Sequence, residues 1–512
     1  MRPSGLASDL GSVVLALSCG HVTIALEPTS KSALLWEPLV LPSSRRESSA
    51  LMGRTSISAL AAISAPAQTD VPSSTSPRKA ASNGALTGIA DRYGGTGIGR
   101  NGGSGRNALV DGFLVKGIGR TPLVSASTPL SHASGGAYLE ECVREAIFAE
   151  VVGHDFPYGA VPTLGILDTG LVQAWPEGIE PGIEPRTLLV RPPFARPAHF
   201  ERALGFDSGL PFEGERDHQR VKAVFAAAVS AVGKDGLLHC FDQFWTRWAH
   251  QLAYGFVHRL SHGNNTSSNI SLDGRLVDFG AASTVPSWQN CATSYHFDSF
   301  VNRMTCIVMS MRSLYYYVGR HLDQQFAARP FIDARTARCQ QAFKRFAAVE
   351  LLRICGVDDL VAADCAKGST FDLAWHACFE AIDHAQRTKL DLLEPGTYSD
   401  AAWDIRKAWS PHPPKHLRRL SQVVSDLIPS QERDAARDRS RRLSASRPDL
   451  YKPNLRARFF AEVQEKSVPN LGADPAFVQD FIRRHVCANL RELAPRPGSA
   501  SVNAAWSAAV PT

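Results

Sequence analysis

The segment from His262 to Ala282, HGNNTSSNISLDGRLVDFGAA, constrains this chain more than any other. An HG pair is followed seven residues after the histidine by Asn269, and nine residues later by the triplet Asp278-Phe279-Gly280. Two short β runs, Ile270–Leu272 and Leu276–Val277, flank Asp273-Gly274, a dipeptide that favours tight hairpin turns. Such a hairpin fixes the separation of Asn269 and Asp278. An amide oxygen and a carboxylate are hard donors, suited to Mg²⁺ on nucleotide phosphates. A surface hairpin with an incidental DFG is the ordinary alternative, and the HG–Asn–DFG spacing argues against it.

Phosphate handling also needs close backbone N–H groups and fixed cations. Upstream of the hairpin, Gly97, Gly99 and Gly102 match a kinase glycine-loop pattern. Residues 108–115 read as a short strand ending at Lys116. Residues 140–152 have helical apolar spacing and carry Glu145. A strand lysine paired with a helix glutamate holds an ammonium where it reaches phosphate. Arg191 and Arg196 follow in LVRPPFARPAHFE, and guanidinium forks suit phosphate oxygens. Singly, these are a glycine linker, a strand-end lysine, a solvated glutamate and surface arginines. Their order (glycine loop, Lys, helical Glu, Asn, Asp) lifts them above that.

The 512 residues suggest two to four domains. Residues 1–85 are rich in Ser, Ala and Pro and read as a largely disordered extension, with a linker over 64–82. Residues 86–205 read as strands and one helix, a small β-rich N-lobe. Residues 206–495 read as a large helical C-lobe holding the hairpin, with helices over 216–232, 236–256, 300–322, 333–352, 370–387 and 475–493. Residues 496–512 form a flexible tail. The expected fold is therefore α+β, two-lobed and protein-kinase-like. A net charge of +6 is mild for this length and does not point to nucleic acid. Residues 401–460 hold fourteen Lys and Arg against six acids, read as a solvated helical face. Ten scattered cysteines without CxxC argue for a reducing compartment and against a zinc site. No apolar run is long enough to span a membrane, and the apolar stretch near residue 13 is a poor signal peptide, so a cytoplasmic location is expected. Oligomeric state is left open.

Three blocks resemble the selenoprotein O family, pseudokinases that act as protein adenylyltransferases. The first is GGSGRNALVDGFLVKGIGRTPL (102–123). The second is SGGAYLEECVRE (134–145) with AVPTLGIL (160–167). The third is LVRPPFARPAHFE (189–201) with HGNNTSSNISLDGRLVDFG (262–280). The resemblance implies ATP bound in inverted orientation and AMP passed to a protein or peptide hydroxyl. It implies nucleotide contacts from Gly103, Gly105, Arg106, Ser134 and Gly135, with Ser134 standing where the family has an acid. Lys116 and Glu145 match its ion pair, Arg191 and Arg196 its phosphate-contacting arginines, and Asn269 and Asp278 its ligands for Mg²⁺ or Mn²⁺. The family's catalytic Asp is Ser268 here, and an ordinary phosphotransferase would place its base at Asn264, so both acids are missing. The family's C-terminal redox residue is absent as well. The chain resembles a divergent member, similar to a branch linked to bacterial microcin maturation. Three activities stay open: AMP transfer, a nucleotide-binding scaffold in peptide maturation, and γ-phosphate transfer.

Overall fold

The computed structural model describes residues 23–28, 33–36, 63–64, 86–95, 97–129, 133–176, 182–207, 213–286, 290–292, 304–368, 371–386, 389–391, 398 and 405–491. Nine strands form an antiparallel sheet: β1 (Thr23–Pro28), β2 (Ala33–Trp36), β3 (Ile63–Ser64), β4 (Leu86–Ala90), β5 (Asn107–Val110), β6 (Phe113–Lys116), β7 (Ala137–Tyr138), β8 (Gly165–Ala174) and β9 (Ile183–Arg191). Their order is β2-β8-β9-β6-β5-β4-β1-β3, with β7 also paired to β9. The sheet thus begins well before residue 86. β1, β2 and β3 belong to the segment expected to be largely disordered, and the β2 side chains of Leu35 and Trp36 are buried. The linker beyond Ser64 and the 496–512 tail lie outside the described residues.

The stretch expected as one strand over 108–115 is a hairpin. β5 and β6 turn at Asp111-Gly112, both with positive φ (47° and 78°), and Val110 pairs with Phe113. Positive φ at both central residues is the geometry that matches strand twist in a two-residue loop. Alternation along β6 sends Phe113 and Val115 to one face, where they join Ala108, Leu188 and Val190 in a small apolar cluster. Leu114 and Lys116 face the other way. Leu114 pairs with Arg191 and Lys116 with Leu189, and residues opposite each other share a face. The register therefore delivers Lys116 and Arg191 to the same side of the sheet.

That side is covered by helix α1 (Leu139–Asp155), which carries acidic residues in its first turn. Helix-favouring charge and a nearly continuous apolar surface explain it: Val143, Ala146, Ile147 and Phe148 are all fully buried. The rest is mostly helical. Helix α2 (Glu213–Val257) breaks at Gly233, whose φ of 76° leaves the helical region, so the two expected helices meet there. Helices α3 (Met304–His321), α4 (Arg329–Ile354), α5 (Asp359–Cys365), α6 (Phe371–Gln386), α7 (Arg418–Leu427), α8 (Arg433–Leu443), α9 (Lys452–Glu465) and α10 (Pro475–Asn489) complete it. No helix among the described residues is long and apolar enough to cross a membrane. The architecture is α+β, an N-terminal antiparallel sheet followed by a large helical part.

Candidate functional site

The hairpin of 262–282 is present in minimal form. Ile270 and Leu276 make an antiparallel bridge, and Val277 N–H donates to Asn269 O at 3.1 Å. Its tight turn is shifted by one residue from expectation. Gly274 N–H donates to Ser271 O, so Leu272 and Asp273 are the central pair and Gly274 follows at φ 89°. With Ser271 N–H donating to Arg275 O at 2.9 Å, this closes a three-residue loop ending in a left-handed glycine, a common hairpin connection. Leu276 also bridges Ala160, and Leu272 N–H donates to Ala195 O, which docks the hairpin against the sheet-bearing half.

At its end Asp278 adopts a left-handed conformation (φ 66°, ψ 73°), tolerated by Asp at a cost of about 1–2 kcal/mol. Phe279 is buried under α1, 6.3 Å from the Phe148 ring, and Arg144 on α1 donates to Gly280 O at 2.5 Å. These contacts aim the Asp278 carboxylate at the sheet. Lys116 Nζ is 3.3 Å from Asp278 Oδ1, 2.8 Å from Glu141 Oε1, and paired with Glu145 Oε1. Arg106 grips Glu141 with two bonds of 2.8 and 3.0 Å and donates to Gly136 O at 2.9 Å. Arg191 pairs with the other oxygen of Glu145. Three cations and three carboxylates thus balance around one point, drawn from β6, β9, α1, the 102–106 segment and the hairpin.

Burial opposes the charges of Lys116, Asp278 and Glu141, and their partners win. Burial and Arg106 press Lys116 toward neutrality, but Asp278, Glu141 and Glu145 hold it protonated above the usual lysine range. Burial would raise Asp278, yet Lys116, Arg106 and Arg191 keep it far below the usual carboxylate range. Glu141 is likewise depressed against burial, by Arg106 and Lys116. One oxygen each from Glu141, Glu145 and Asp278 lies within 4.8 Å of the other two. Three hard anionic donors at that spacing suit a divalent cation, and Asp278 is the most open of them at 40% side-chain exposure.

The other expected residues fall around this cluster. Asn269 is buried beside it, donating from Nδ2 to Asn264 O at 3.0 Å. Ser268 is buried too, and its carbonyl accepts from Arg196. Arg196 is not turned to the carboxylate triad. It lies 3.3 Å from Asp91 and against the rings of Tyr93 (4.7 Å) and Phe194 (4.5 Å). His199 completes that group: Nδ1 accepts from the Arg196 N–H at 3.0 Å, which leaves Nε2–H to donate to Asp91 at 3.0 Å. Nε of Arg191 and Nε of Arg196 are buried without a hydrogen-bond partner, donors still available to an anion.

The glycines expected at the nucleotide pack on the protein's own chain. A side-chain carbon on Gly103 would fall 2.5 Å from Asp91 O, and one on Gly135 2.0 Å from Arg120 N. Gly105 O accepts from Thr121 N–H at 2.9 Å, and Ser134 Oγ meets Tyr138 Oη at 2.6 Å. A carbon on Gly97 would fall 2.2 Å from Ser268 Oγ, so the glycine-rich segment roofs the position where a base was sought.

Glu141 went unread in the sequence, although its i,i+4 spacing to Glu145 puts both on one helix face. Glu201 went unread too. It is buried, accepts from Ser267 Oγ at 2.6 Å and from Ser313 Oγ, and burial pushes it up to about 7 against those hydrogen bonds and Arg220. No signal short of the fold marks it. No protein-family model matches the chain, and no curated protein matches it.

Proposed function

We propose that this chain is a protein-kinase-like nucleotidyltransferase of the selenoprotein O type, which binds ATP and transfers AMP to a hydroxyl of a protein or peptide in the cytoplasm. One observation carries the reading: Lys116, from a strand, touches both the helical Glu145 and the hairpin Asp278, 162 residues away. Lys116, Arg106 and Arg191 would hold the phosphates, with Arg196 behind them. Asp278, Asn269 and Glu141 would hold Mg²⁺ or Mn²⁺, which supplies charge neutralisation at the phosphates.

The acceptor oxygen bonds to the α-phosphorus, the bond from that phosphorus to the bridging oxygen breaks, and pyrophosphate departs. The hydroxyl proton is lost to water, because Ser268 is a poor base. The absence of a carboxylate costs about two to four decades in rate. Positioning and charge stabilisation carry the rest. Glu145 keeps Lys116 oriented throughout.

Incubation with Mg²⁺ and α-labelled ATP should label the chain or an added protein, and Asp278→Asn should abolish that label while leaving the unfolding transition intact. Undiminished labelling in the variant refutes the site. The roofing of Ser268 by Gly97 favours one other reading, a nucleotide-binding scaffold without turnover. Thermal stabilisation by ATP with Mg²⁺ and no transfer to any acceptor would select it.

A further inference from the structure

One face of helix α3 is exposed among the described residues. Met309 and Tyr316 are more than half exposed, and Arg312 and Arg320 are exposed on the same face, at helical spacings of three, four and four residues. Neither arginine has an ion-pair partner among the described residues. Beside this face runs a groove of about 350 Å³, lined by Arg202, Leu204, Ser313, Tyr316, Tyr317 and Arg320. That volume is in the range of sites that seat a small ligand or a few side chains. Its walls are apolar and aromatic, its charges are both arginines, and no acid among the described residues lines it. Leu204 is 78% exposed, a large apolar side chain in water at the groove edge.

The charged side chains lining the groove are Arg202 and Arg320. His321, next to Arg320, is held down to about 4 by burial and then by His218, Arg320 and Lys222. Positive walls with an aromatic floor match a chain that carries carboxylates and an apolar side chain.

The groove is also wired to the site. Ser313 on its wall donates to Glu201, whose other oxygen accepts from Ser267 at 2.6 Å, and Ser267 precedes Ser268. Two hydrogen bonds therefore span from groove to hairpin. The segment holding Arg202 and Leu204 also packs on the glycine-rich segment. A carbon on Gly94 would meet the Arg202 backbone at 2.2 Å, and one on Gly102 would meet the Phe206 ring at 2.6 Å. An occupant of the groove thus touches the segment that packs on the glycines roofing Ser268.

We propose that this groove docks the acceptor, an acidic peptide segment bearing an apolar side chain, and that the residue to be modified lies along the chain toward Ser268. The proposal rests on the transferase reading above for the acceptor role, but not for the binding itself.

The test uses the full chain and a fluorescein-labelled peptide of alternating glutamate, leucine and serine. Anisotropy should show binding, with a glutamine-for-glutamate version at least about tenfold weaker. Arg320→Glu and Tyr316→Ala, both at exposed positions, should each weaken the acidic peptide about tenfold and lower AMP transfer to it. Thermal stabilisation by ATP with Mg²⁺ should be the same in both variants as in the wild type. Equal binding of the acidic and neutral peptides, or of wild type and both variants, overturns the groove. Tighter binding of a single-stranded oligonucleotide of equal charge overturns it as well. Peptide binding that depends on Arg320 without any AMP transfer keeps the groove and removes the transferase reading.

Discussion

Lys116→Met tests the cluster at its centre. Methionine keeps the buried stem and removes the charge. Lys116 has contacts of 2.8 Å to Glu141 and 3.3 Å to Asp278, as well as its pair with Glu145. Three carboxylates then face two cations. Arg106 still holds Glu141 and Arg191 still holds Glu145, so Asp278 is the group left without a partner. At 4.8 Å, the limit of the triad's spacing, each carboxylate pair repels by about 3.5 kcal/mol at an effective dielectric of about 20. Water reaches Asp278 and screens part of this, so the expected loss is about 3 kcal/mol, the low end for removing one partner of a buried ion pair. That corresponds to a fall of roughly 3 °C in the unfolding midpoint of a chain this long. A divalent cation should take the place of the ammonium. Thermal unfolding in EDTA should show the fall, and millimolar Mg²⁺ should restore most of it, with a larger Mg²⁺ response than in the wild type. Adding Asp278→Asn should also restore the midpoint by removing the orphaned charge. An unchanged midpoint in EDTA, or a variant indifferent to Mg²⁺, would refute the reasoning.

Three further outcomes follow from single groups. Glu201 has a folded pKa of about 7, above its unfolded value, so its contribution is complete at low pH and lost as pH rises through 7. Glu201→Gln should therefore be more stable than wild type near pH 8, by about 3 kcal/mol, with the gap closing near pH 4.5; an equal gap at both pH values contradicts this. His250 is held down to about 4, chiefly by burial, so the fold keeps it neutral while the unfolded chain takes up a proton below about 6.5. Stability from this group is lost as pH falls from 6.5 toward 4, and His250→Phe should flatten that limb by about 1.4 kcal/mol per pH unit. Gly135→Ala forces a carbon onto the 119–120 backbone at φ 74° and should yield little folded protein, with or without ATP. Normal yield with weakened ATP binding would instead place Gly135 at the nucleotide.

The hairpin and its neighbours were readable because their signals are local. Asp273-Gly274 announces a turn, and the spacing from His262 to Asp278 is set within one short segment. Helix α1 showed in its apolar period. What escaped was set by pairing between distant segments. The turn at Asp111-Gly112 carries the same dipeptide as the hairpin, but the apolar residues on either side of it read together as one short strand over 108–115. The strands β1 to β3 sit in Ser- and Pro-rich surroundings whose composition hides them. Arg196 was placed among phosphates by its proximity in sequence to Arg191, whereas the sheet turns Arg191 to Glu145 and the following loop turns Arg196 to Asp91. Glu141 needed only its i,i+4 relation to Glu145. Glu201 needed the fold, since its partners Ser267 and Ser313 are 66 and 112 residues away.

Side-by-side transfer from α-labelled and γ-labelled ATP, with Mg²⁺ and first on the chain itself, tests the central claim most directly. Transfer of AMP predicts covalent label from the α position alone, lost in Asp278→Asn. Label from the γ position alone would make the chain a phosphotransferase and contradict the account.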